Sequence, residues 1–204
     1  MKTSSQISIL VLIPFLMGSC LAGERSATAT QIQPTPSPAG TPGGENIPIG
    51  AGMISQWGID AEASSEFADP EWSASQAVGR PDAPGCGDYQ FAWASGASDS
   101  VETLEVSFSR LVYPQGIIVY ESFNPDQVVK IEVLNPETGA YYTVLQKNPV
   151  QIDRPCPYEL NAVVEGIEFK TNRVRITVDQ SQLGLGWNEI DAVELIGSID
   201  PIEE

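Results

Sequence analysis

Histidine is absent from the 204 residues, so the commonest general base and zinc ligand is missing, and with it Ser-His-Asp, Cys-His and H-E-x-x-H chemistry. Catalysis would have to rest on carboxylates or an amine. Carboxylates are abundant, 27 against 10 basic side chains. Glu189 and Asp191 stand two apart on a predicted strand, where they share a face at roughly 7 Å, within the range of a glycosidase pair. In a chain this acidic such pairs arise by chance, and no long loop accompanies this one to roof an active site. Binding chemistry fits better. A sugar stacks its apolar face on an aromatic ring while its hydroxyls need planar polar partners. Asp88, Tyr89, Glu121, Phe123 and Asn124 supply both kinds of group in turn-rich segments, with Trp57 and Trp187 as further aromatic candidates. Packing in the core or at corners is the competing role for Trp72, Trp93 and Trp187. For Glu121 and Asn124 it is shaping the turn 123–126, since Asn and Asp bond their own backbone in such turns.

Two cysteines, Cys86 and Cys156, lie in Pro/Gly-rich loops and are expected to bond to each other. Closing a loop of roughly 70 residues restricts the unfolded chain enough to stabilise by about 4 kcal/mol in the entropic model. A catalytic or metal-binding thiol is the alternative, disfavoured without histidine.

The elements that must position these groups are strands. Leu104, Val106 and Phe108 alternate with polar residues, as do Val129, Ile131 and Val133, and Val174, Ile176 and Val178. Further strands are expected at 117–120, 141–145, 163–169 and 190–196, separated by turn signals such as Asn135-Pro136-Glu137-Thr138-Gly139. One short helix is expected at 73–78. Seven or more short strands with Gly/Pro turns imply an all-β, antiparallel sandwich, placed at 51–197 and followed by an acidic tail, 198–204.

Ahead of that domain, Lys2 and the apolar run 7–17 read as an export signal, too short to span a bilayer. Gly18-Ser19-Cys20 resembles the lipobox of bacterial lipoproteins, with Met17 where leucine is usual. That resemblance implies cleavage after residue 19, acylation of Cys20 and display at the cell membrane or outer surface. An ordinary secretory signal with an incidental cysteine is the alternative. The segment 20–50 is rich in Thr, Pro, Ser and Gly and cannot build a core, so it reads as an extended tether. A net charge of −17 repels phosphate backbones and anionic headgroups. Nucleic acid is therefore not an expected partner, and membrane contact is expected only through the lipid.

The domain resembles the galactose-binding-like jelly rolls of the discoidin, or coagulation factor V/VIII type C, superfamily. Ala63-Ser64-Ser65, Ser75-Gln76-Ala77-Val78-Gly79-Arg80-Pro81, Ala92-Trp93-Ala94-Ser95 and Ala192-Val193-Glu194-Leu195-Ile196-Gly197 occur in the family's order. It is more similar still to the discoidin-like segments of pappalysins and of an F-box/leucine-rich-repeat protein, through Val112-Tyr113-Pro114, Glu121-Ser122-Phe123-Asn124-Pro125 and Glu189-Ile190-Asp191-Ala192-Val193. The resemblance implies a non-catalytic binding module with ligand loops at one end, for a glycan or an envelope protein. It also implies a possible structural calcium, with Asp82 in the first loop and Glu194 on the last strand as ligands. The family's Asp-Gly after the alanine is Val78-Gly79 here, so one carboxylate is missing. A solvated strand position, or an ion pair with a basic side chain, is the alternative for Glu194.

Overall fold

The computed structural model describes residues 52–152 and 157–201, all within the unit Gly40–Glu204. The export segment 1–19, Cys20, the tether 20–50, Cys156 and the last three residues lie outside the described residues.

The period-two segments form strands that bury one side. In chain order these are β1 (Met53–Trp57), β2 (Asp60–Ala63), β3 (Trp93–Ala94), β4 (Val101–Phe123), β5 (Val128–Leu134), β6 (Tyr141–Gln146), β7 (Tyr158–Val163), β8 (Thr171–Asp179) and β9 (Glu189–Ser198), with a 3₁₀ turn at Ala74–Ala77. All pairings are antiparallel. In one sheet β1 and β3 both border β9, which pairs with the second half of β4, and β7 closes the far side. In the other, β2 and β8 flank the first half of β4, followed by β5 and β6. The 23-residue β4 therefore belongs to both sheets. Its pairing with β8 breaks between Ser107 and Val112, where the strand turns the corner of the sandwich. Leu104, Val106, Phe108, Ile117, Val119, Ile131, Ile176, Ile190, Val193 and Leu195 fill the space between the sheets. This is the galactose-binding-like jelly roll that the sequence motifs imply.

Several details differ from the sequence expectation. The two strands expected at 104–108 and 117–120 are one. Val129 falls out of phase because the β5–β8 register shifts between Val128 and Lys130, so Val128 is buried instead. The strand expected at 163–169 lies earlier, as β7, because the alternation that reaches the core is Tyr158, Leu160 and Ala162, and Gly166 turns the chain with φ +70°. The expected helix is the 3₁₀ turn.

Two irregularities position the functional end. On β9, Tyr120 pairs with Ala192 and Glu121 with Ile190, leaving Asp191 as an extra residue, a bulge that shifts the strand's phase. Ile190, Val193 and Leu195 enter the core, so Glu189, Asp191 and Glu194 share the opposite face. Gly197 meets β4 at Pro114, and a Cβ there would lie 2.5 Å from the Tyr113 carbonyl oxygen and 2.7 Å from Val112 Cγ2. Gly197→Ala should therefore lower unfolding free energy by about 2–3 kcal/mol, read as a reduced urea midpoint at unchanged slope. A midpoint equal to the parent's would mean that the β4–β9 corner yields more freely than these separations imply.

Candidate binding site

At the end of the sandwich where β4 finishes and β9 begins, a cleft of about 160 Å³ is lined by Phe67, Trp72, Asp88, Ala94, Phe123, Trp187 and Glu189. Its walls are aromatic. Phe67 is 49% exposed and meets both Trp72 and Trp187 edge to face, at centroid separations of 5.3 and 5.4 Å. Trp187 is held from behind by its indole N–H, which donates to the Ser95 carbonyl at 2.9 Å. Trp72 adopts a left-handed backbone, φ +54°, which is unfavourable for a bulky residue. Two backbone bonds impose it: the Trp72 N–H donates to Gln90 and its carbonyl accepts from Ala94. Strain kept in place this way is characteristic of binding sites.

The polar groups of the cleft are carboxyls. Asp88 accepts a hydrogen bond from Trp72 Nε1 at 3.0 Å on Oδ1. Glu189 pairs across the sheet with Ala94, is only 2% exposed, and receives Tyr89 N–H at 2.9 Å and Ser122 Oγ–H at 3.3 Å, both on Oε2. Burial pushes its carboxyl up to about 7; those two donors oppose the rise and the neighbouring Asp88 carboxylate adds to it. Loop 79–91, which supplies Asp88, lies over the outer face of β9. Asp191 Oδ2 accepts the backbone N–H groups of Asp82 and Ala83, each at 3.1 Å, and Gly87 N–H donates to Ser122 O. Asp191 is pushed up to about 6 by burial, with the adjacent Asp82 carboxyl contributing, and its Oδ1 is buried without a hydrogen-bond partner.

Of the residues singled out in the sequence, Asp88 and Phe123 meet in the cleft and the others do not. Tyr89 lends its backbone N–H to Glu189 while its ring stacks on Phe91 at 5.1 Å. Glu121 is a correction. It follows Ile117 and Val119 on the inward phase of β4, is fully buried, and accepts Asn188 Nδ2–H at 2.9 Å and Asp126 N–H at 3.0 Å. Desolvation pushes it up to about 8 against those bonds, so it is a structural group of the 121–126 turn. Asn124 takes φ +41° in that turn. Its amide donates to the carbonyls of Leu185 and Trp187, so it positions Trp187. Trp57 sits apart, under Arg80 and beside Tyr120. Trp93 is the core residue expected, fully buried. Trp72 and Trp187, for which core packing competed, are half-buried cleft walls.

The carboxyls suggested for calcium are in different surroundings. Asp82 lies against Asp191. Glu194 is buried and accepts from the hydroxyls of Ser55 and Tyr120, so it is neither solvated nor paired with a base, and the Tyr120 phenol is held well above its ordinary range, chiefly by burial. Among the described residues no group of three or more potential metal-ligating side chains gathers. Asp191, the carboxyl nearest Asp82, is surrounded by N–H donors, whereas calcium requires six to eight oxygens. The residues present do not fit that ion.

Phe67, Trp72 and the role of Glu189 escaped the sequence reading. A signal existed in Phe67-Ala68-Asp69-Pro70-Glu71-Trp72, two aromatics around a proline in a polar loop. Glu189 and Asp191 share a face, yet Asp191 is engaged by loop 79–91 and is not part of the cleft wall.

The family model described as Pappalysin-1, SD scarf domain, C-terminal, matches residues 49–202. F-box/LRR-repeat protein 4 of Bos taurus is 26% identical over 109 residues, which is 50% of this chain and 17% of that protein, so the chain spans only a small part of that relative's length. Among solved structures, the family 32 carbohydrate-binding module of NanJ from C. perfringens, determined with galactose, superposes with TM-score 0.50 at 15% identity, covering 70% of this chain and 99% of the module. Chitosan-binding module 1 of a chitosanase/glucanase from Paenibacillus sp. IK-5 gives TM-score 0.52 at 15% identity, covering 68% and 93%. At such identities the likeness is one of fold.

Proposed function

This chain belongs to the family of the pappalysin-1 C-terminal SD scarf domain, and from that premise we propose that it is a non-catalytic module binding carbohydrate or glycoconjugate at the cleft, anchored in the cell envelope through a lipid on Cys20. The observation that carries the binding reading is the cleft: aromatic walls at Phe67, Trp72, Phe123 and Trp187 around two carboxyls, Asp88 and Glu189. Rings cover the apolar face of a sugar and carboxylates accept from its hydroxyls. The carbohydrate-binding modules of the same fold support it. The anchor rests on the sequence Gly18-Ser19-Cys20, and export makes a Cys86–Cys156 bridge chemically available. The bonded state of the Cys86 sulfur supports that pairing.

The test is a glycan array followed by titration of the best hit, with and without chelator. Phe67→Ala and Trp187→Ala should each weaken binding at least about tenfold, a loss of roughly 1.4 kcal/mol, with chelator having no effect. Phe67 is exposed enough that its variant retains the fold. Undiminished binding in both variants would move the site elsewhere. No sugar bound under either condition would overturn the glycan reading in favour of an envelope protein, for which the net charge of −17 would select a basic surface.

A further inference from the structure

Within the cleft, each carboxyl has one oxygen engaged by the protein and one left over. Trp72 Nε1–H occupies Asp88 Oδ1; Tyr89 N–H and Ser122 Oγ–H both occupy Glu189 Oε2. No described donor reaches the remaining oxygen of either group, and the two carboxyls are neighbours close enough to raise each other's cost of ionisation. Glu189 is almost fully buried, so water relieves that repulsion poorly. The cleft lining includes no basic side chain. Positive groups are used elsewhere: Lys130 pairs with Glu132, Arg173 and Arg175 with Glu105, and Arg80 lies over Trp57.

A sugar hydroxyl brings one proton donor and no charge. An ammonium brings three donors on one atom, neutralises the pair, and gains further from flanking aromatic faces. Resting on the glycan reading above, we infer that the cleft selects an amine-bearing sugar, its ammonium bridging Asp88 and Glu189 while the ring lies against Trp72 and Trp187.

The experiment is calorimetric titration of the purified chain at about pH 6 with a fully deacetylated glucosamine tetrasaccharide and with its fully N-acetylated counterpart. The two share a ring and differ in whether nitrogen carries charge. The deacetylated probe is expected to bind at least about tenfold tighter, falling with added salt as a charge pair must. In Asp88→Asn/Glu189→Gln, which keeps the shapes, that preference should disappear. Equal or tighter binding of the N-acetylated probe would overturn the amine inference and leave the glycan reading standing. A preference that survives the double substitution would overturn the assignment to these carboxyls. Binding of neither probe, with other sugars bound on the array, would overturn the amine inference alone; binding of no sugar at all would remove both.

Discussion

Lowering the pH from about 9 to about 5 should make the folded protein more stable, by on the order of 5 kcal/mol. Three buried carboxyls drive this. Glu121 is raised to about 8, Glu189 to about 7 and Asp191 to about 6, each chiefly by burial. A carboxyl whose folded pKa exceeds its unfolded one holds its proton more tightly when folded, so its contribution is complete below the unfolded pKa and is lost as pH rises through the folded one. The direction reverses in stronger acid. Glu102 is lowered by the Ser64 hydroxyl and Asp179 by bonds from Ser181 and Gln182, each against its own burial. These two contribute stability that is lost as pH falls through their depressed values. Maximum stability is therefore expected near pH 5, where the excess negative charge is also reduced. Urea unfolding at intervals from pH 4 to 9 measures it. Glu121→Gln fixes that position neutral and should flatten the curve between about pH 6 and pH 9, whatever it does to absolute stability through the Asn188 and Asp126 bonds. Parent stability that is flat or rises with pH over this window would contradict the burial assigned to these carboxyls.

Replacing both Cys86 and Cys156 by serine should cost about 4 kcal/mol and weaken sugar binding with it. The stability loss follows from freeing a long loop in the unfolded chain. The binding loss has a separate origin in the folded state. Cys86 lies in loop 79–91, between the anchors that Asp191 makes to residues 82 and 83 and that Glu189 makes to Tyr89. It also borders Phe123 in a second, shallower hollow beside the cleft. Releasing the sulfur leaves the Asp88 backbone held chiefly by two carboxyls that must themselves be desolvated. Parent protein treated with reductant should reproduce both losses, and the serine variant should not respond to reductant. Two free thiols found by labelling the unreduced, denatured chain would remove the bridge and this prediction with it.

The family motifs become intelligible as bonds. In Ala63-Ser64-Ser65, Ser64 Oγ accepts the Thr103 N–H and donates to Glu102, the Ser65 carbonyl takes the Trp93 indole N–H, and Ser65 Oγ takes the Gly96 N–H. Those residues therefore fasten β2 to the β3–β4 connection. Their side chains form particular bonds rather than fill volume, which is why they stand out in the sequence.

Residue order determined the fold class and most strands, because period-two alternation is a local property: Leu104, Val106 and Phe108 must lie on one face of any strand that contains them. It also determined what chemistry is missing, since no folding can supply a histidine. Tertiary structure decided what local pattern could not express. The extra residue at Asp191 is visible only once β9 is paired with β4, yet it puts Glu189 on the face that Glu194 occupies; without it, five residues apart would mean opposite faces. Glu121 reads as an exposed turn acid until the inward phase of β4 is known. Phe67, Trp72, Asp88, Phe123, Trp187 and Glu189 come from five separate stretches of chain, and only the meeting of β4 and β9 with the loops above them makes one cleft of their rings and carboxyls.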